Sequence, residues 1–150
     1  MALPERTKLD RVRRVERLRA GEERMARAAF QQALGTLRAA EEREALCRGA
    51  YRDIMADANR KLQGVIDVGR LPILQLMVND ARRALQAAER GRTLAATQAA
   101  AAEAKWVETK RALQVMEKAQ ERALGALRST VGRREQQELD ELATLRAGRP

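Results

Sequence analysis

The side chains that carry out nucleophilic and acid–base chemistry are scarce in this chain. It has no histidine, one cysteine (Cys47) and one serine (Ser129). Without an imidazole, neither a Ser–His nor a Cys–His pair can be built from its own residues. Zinc sites that use His are excluded for the same reason. Asp and Glu number 21, but they fall on expected helix faces with no cleft to organise paired-carboxylate catalysis. Gly64 and Gly69 do not make a phosphate loop, because neither a strand nor a Gly-Lys-Ser/Thr run accompanies them. The lone cysteine excludes an intramolecular disulfide and reads as a small buried hydrophobe. No catalytic residue, cofactor-binding residue or metal ligand is expected, and the chain reads as a non-enzyme that needs no cofactor.

The function must therefore lie on surfaces, and the elements that make those surfaces are legible. Proline occurs only at Pro4, Pro72 and Pro150. It breaks helix interiors and is tolerated at helix starts. The stretches between are rich in Ala, Leu, Arg, Glu and Gln, which favour helix. The chain is 45% apolar but only 2% aromatic. That is too little bulk for a wide core and suits a narrow helical seam. The expected fold is all-α: an antiparallel two-helix coiled-coil hairpin with a longer second helix. One hairpin spans residues 1–150. Helix 1 covers about 4–63, the turn about 64–72 and helix 2 about 73–147. Gly64, Gly69 and Pro72 mark the turn.

Each helix carries an apolar stripe at three- and four-residue spacing. In helix 1 it runs through Phe30, Ala33, Leu37, Ala40, Glu44, Cys47, Tyr51, Ile54 and Ala58. Extended backwards it becomes polar at Glu23, Arg19 and Glu16 before reaching Val12 and Leu9. Val15, Leu18 and Met25 lie on a shifted face, so a heptad discontinuity is expected there. In helix 2 the stripe runs from Leu74, Val78, Ala81, Leu85 and Ala88 to Trp106, Leu113, Ala123 and Leu127, with Arg92 as an interruption. With the turn centred near residue 68, residue i faces about residue 136 − i. Tyr51 then faces Leu85, Leu37 faces Ala99 and Phe30 faces Trp106. The bulkier stretch of helix 1 thus meets the alanine run of helix 2, as Leu37 meets Ala99, so large faces small there as well-filled cores require. From about residue 132 helix 2 has no partner, and that overhang has its own apolar set in Leu139, Leu142 and Leu145.

The net charge is +9, from 30 Lys and Arg against 21 Asp and Glu. The signs are interspersed at i,i+4 spacing, as in Glu23/Arg27 and Glu44/Arg48, and read as a solvated helix face. Gly21, Gly35 and Gly49 recur every fourteen residues on the face opposite the seam, either as tolerated drift or as a slim face. No apolar leader is visible at the N-terminus. The apolar patch over residues 71–78 is far shorter than the roughly 20 residues of a membrane span. A cytoplasmic location is expected.

Residues 133–143, ArgArgGluGlnGlnGluLeuAspGluLeuAla, resemble the tail signature of the flagellar export protein FliJ family. The length, hairpin plan and basic Ala/Arg/Gln-rich composition resemble that family as well. Tyr51-Arg52 is similar to a Tyr-Arg late in the family's first helix. Leu74, Val78 and Ala81 are similar in spacing to its apolar set after the turn, with Leu74 where members often have an aromatic.

The resemblance implies a stalk-like component of the flagellar type III protein export apparatus, with injectisome stalk proteins as close relatives. It implies insertion into the export ATPase hexamer and promotion of that ring's assembly. It also implies a link to the export gate membrane protein, possible contact with export chaperones, and a role in flagellum biogenesis, motility and chemotaxis. The location implied is cytoplasmic, peripherally associated with the inner-membrane export apparatus. No nucleic acid partner and no membrane insertion are expected. The ring-contact residues are then Arg133, Arg134, Glu135, Glu138, Leu139, Asp140 and Leu142. The gate-contact residues are Tyr51, Arg52, Leu74, Val78 and Ala81. Two other readings stay open: a self-associating structural coiled coil, and a basic coiled-coil binder of nucleic acid or anionic membrane.

Overall fold

In the computed structural model, which describes residues 3–149, the chain is an all-α helical hairpin. Helix α1 is Pro4–Leu62 and helix α2 is Leu71–Ala147, of 59 and 77 residues. The helix ends carry charges that complement the macrodipole. Glu5 lies in the first turn of α1, and Arg60 and Lys61 lie in its last. Arg146 lies in the last turn of α2.

The turn between the helices ends in a single 3-10 turn, Val68–Arg70. Asp67 caps it: Gly69 N donates to Asp67 Oδ1 at 3.1 Å, and Arg70 N donates to the Asp67 carbonyl at 3.0 Å. Pro72 follows at the second position of α2, where its missing N–H would have had no helical partner anyway. No glycine among the described residues has a positive φ. The reversal is thus set by the Asp67 cap and Pro72 rather than by a left-handed glycine.

The chain divides into two compact units. Unit 2 holds residues 27–105, including the turn. Its seam buries Ala58, Ala88, Ala95 and Ala99, with Leu37, Tyr51, Ile54 and Leu85 half-buried along the same stripes. Two helices cover only one line of each other, so no side chain among the described residues is fully buried. Alanine is well suited here, since small side chains let the backbones approach and still leave water.

One charged layer interrupts this apolar seam. Glu44 is only 8% exposed. Its Oε1 accepts from Arg48 at 2.8 Å, and its Oε2 pairs with Arg92 of the opposite helix. Arg48 reaches on to Glu89 at 3.5 Å. The Glu44/Arg48 pair is therefore not part of a solvated face, as its spacing alone suggests. It is a cross-helix cluster, and the Arg92 interruption in one stripe is the partner of the acid in the other. A buried carboxylate needs such partners because its desolvation is costly.

Unit 1 joins the described residues up to Ala26 with those from Trp106 onward. Leu9, Ala26 and Ala123 are buried in it. The expected phase shift of the α1 stripe does not occur. The seam continues through half-buried Glu16, Arg19 and Glu23, while Leu18 and Met25 are 61% and 76% exposed. Polar partners explain why. Trp106 Nε1 donates to Glu23 Oε1 at 3.0 Å. With its amino group turned to Glu16, Gln120 donates to Glu16 Oε1 at 3.0 Å. Hydrogen bonds to charged groups in a partly dry seam stabilise enough to hold polar residues in line.

Two stability outcomes follow. Glu44→Gln is expected to lower stability by about 1–2 kcal/mol, less than the roughly 3–5 typical of a fully buried pair, because Arg48 and Arg92 can rehydrate. Urea melts followed by circular dichroism measure this. At Gly35 an added Cβ meets nothing within 4 Å. Gly35→Ala is therefore expected to raise stability by about 0.5–1 kcal/mol in the same melts.

Candidate partner-binding surfaces

The C-terminal part of α2 in unit 1 is the first candidate. Every residue from 131 to 149 is exposed, including Val131, Leu139, Leu142 and Leu145. The polar contacts found there are local, between side chains or backbone one helical turn apart. Arg133 donates to Ser129 Oγ at 3.2 Å, Gln136 donates to Asp140 Oδ1 at 3.1 Å, and Thr144 Oγ1 donates to the Asp140 carbonyl at 2.8 Å. Gln136, Asp140 and Thr144 thus line one side. Leu139, Leu142 and Leu145 wind along the other at three-residue steps.

Arg133, Arg134, Glu135, Glu138, Leu139, Asp140 and Leu142 all lie on this exposed stretch. It offers carboxylates, guanidinium groups and aliphatic side chains on one helix. That composition suits binding to a mixed protein surface. It supplies no cleft for chemistry.

The second predicted set lies in unit 2 and is differently placed. Arg52 is exposed, but Tyr51, Leu74, Val78 and Ala81 are half-buried on the seam. Four of the five therefore spend much of their surface on helix packing. Tyr51 is separated along the seam from Leu74, which lies at the turn. Leu74 lines a groove of about 520 Å³ together with Ile66, Ile73 and Met77.

The side chains that are open to a partner near the turn are others: Val65, Ile66, Val68, Ile73, Leu76 and Met77. For Ile73, Leu76 and Met77 the signal in the sequence is the uncharged run at residues 71–79. Only part of that run can face the seam, so the rest must face outward. Among the described residues, no group of three His, Cys, Asp or Glu side chains is placed to hold a metal ion. Cys47 is half-buried on the seam stripe of α1.

A family model for the flagellar FliJ protein matches residues 8–150. The chain belongs to the FliJ family. The match takes in almost all of α1, the turn, α2 and the exposed stretch beyond residue 131. A FliJ protein is a component of the flagellar export apparatus, and the family is a structural one, not a known group of enzymes. Neither the curated proteins nor the solved structures give a match to the chain.

The different exposure of the two residue sets in this FliJ chain has a measurable outcome. Val78→Ala removes packing from the seam and is expected to cost about 1 kcal/mol. Leu139→Ser changes an open position and is expected to stay within about 0.5 kcal/mol of the parent. Thermal melts of the two variants check this.

Proposed function

We propose that this FliJ protein is the stalk of the export apparatus, and that the exposed end of α2 enters the export ATPase hexamer and promotes its assembly and activity. The observation that carries this reading is the run of residues 131–149, exposed throughout. Contiguous aliphatic side chains left in water favour being covered by a partner. Leu139 and Leu142 would be the apolar anchors. Arg133, Arg134, Glu135, Glu138 and Asp140 would make polar contacts around them, where complementary charges set orientation more than affinity.

Unit 2, with the turn, would face the export gate membrane protein, through Arg52 and whatever Tyr51, Leu74, Val78 and Ala81 leave open beside the seam. In this reading the protein works in the cytoplasm, peripherally held at the inner-membrane export apparatus. Export chaperones are possible further partners.

The test adds the purified chain to the export ATPase of its own organism, beside a chain truncated after Thr130. The full chain is expected to raise turnover or ring formation several-fold, and the truncated chain to lose most of that effect. A full chain that self-associates and leaves the ATPase unchanged would overturn the stalk reading. A truncated chain as active as the full one would overturn the assignment of the tail.

A further inference from the structure

The exposed aliphatic side chains of unit 2 concentrate at its turn. Val65 is completely exposed and Val68 is 74% exposed. Ile73, Leu76 and Met77 are exposed on the first turns of α2. Their i, i+3, i+4 spacing puts them on one side of the helix, away from the seam positions Leu74 and Val78. Residues 71–79 carry no charge, in a chain that is 34% charged. Such a concentration of apolar surface marks a place that something covers.

The charges around it indicate what. Arg60 and Lys61 at the end of α1, and Arg70 in the turn, are all largely exposed. Two acids stand near them. Asp57 bridges Lys61 at 3.0 Å and Arg60 at 3.9 Å, and Asp67 lies 3.8 Å from Arg70. Exposed pairs of this kind hold weakly, so the bases can turn to a denser array of anions. Between residues 60 and 77 there are three bases, Arg60, Lys61 and Arg70, and one acid, Asp67.

The groove beside the turn repeats the pattern on a smaller scale. Its apolar lining comes from Val65, Ile66, Ile73, Leu74 and Met77, and its charged lining from Arg60, Lys61, Arg70 and Asp67.

Aliphatic side chains flanked by long basic ones match the boundary between lipid headgroups and acyl chains. There the aliphatics leave water while Arg and Lys lay their stems on the apolar layer and their charges on phosphates. We propose that the turn of the hairpin docks onto the surface of a bilayer carrying anionic lipids. The contact is interfacial and does not span: no helix among the described residues is long and apolar enough to cross a membrane. The turn lies in unit 2, apart from the residues of unit 1 proposed to enter the ATPase, and it is also the part of the chain proposed to face the gate protein.

Vesicle flotation of the full chain tests it, with vesicles of equal parts phosphatidylcholine and phosphatidylglycerol beside pure phosphatidylcholine. Binding is expected to the anionic vesicles only, and to weaken as salt rises. Val65→Ser with Val68→Ser is expected to weaken it by about tenfold. These exposed side chains can change without loss of helicity by circular dichroism, and the response of the ATPase should stay as in the parent. Ile73→Ser with Leu76→Ser tests the helix face in the same way and is expected to give a similar loss.

The absence of binding to anionic vesicles would overturn the proposal. So would serine variants that float as well as the parent, because binding would then be general adsorption of a basic protein. Capture of the gate protein by the parent but not by the serine variants, with no vesicle binding, would assign the turn to a protein interface instead.

Discussion

Two helices share a single line of contact, and most of what this chain does follows from that limit. Each helix can hide one stripe, and even there no described side chain is fully buried. Small residues are favoured on the line because they let the backbones come close. Polar residues are tolerated on it when a partner sits across the seam. Glu44 with Arg48 and Arg92 is the clearest case. A one-heptad slip would strand its carboxylate against Leu85 or Ala99, so the cluster opposes that misregister.

The same limit explains where partners can bind. A narrow seam leaves only shallow grooves, so recognition falls to side chains the seam cannot cover. In unit 1 the longest such stretch is the end of α2, where every residue from 131 to 149 is exposed. In unit 2 the exposed aliphatic residues concentrate at the turn, where the seam ends and they continue around the helix. The two surfaces differ in character. The first mixes acids, bases and leucines and fits a structured protein surface. The second is aliphatic with bases around it, which fits a fluid and anionic one.

Much of the fold could be read directly from residue order. Pro72, the cluster of turn residues before it and the strong helix formers elsewhere left little choice but a hairpin. The three- and four-residue stripes anticipated which positions are shielded, from Leu9 to Ala58 and from Leu74 to Leu127. Hydrophobicity taken alone misplaces one stretch of the α1 seam. Val15, Leu18 and Met25 suggested a shifted seam, yet Glu16, Arg19 and Glu23 occupy it. A pattern of apolar residues has no means of weighing Trp106 as a donor to Glu23, because the donor lies 83 positions away. Glu44 falls on the seam stripe and the facing rule sets it opposite Arg92, but its i,i+4 spacing to Arg48 reads as a solvated pair, and only the folded chain shows both arginines holding one buried carboxylate.

The sequence by itself determined the helices, the place of the turn and the lack of any histidine, since propensity, proline and residue type act locally. It also carried the family, whose tail-like run at residues 133–143 is contiguous. Tertiary structure decided which candidates are surfaces. Leu139 and Leu142 are open, whereas Leu74 and Val78 are half spent on packing, although all four are aliphatic residues in helices. Exposure depends on what lies across the seam, and a residue's own neighbours do not contain that information.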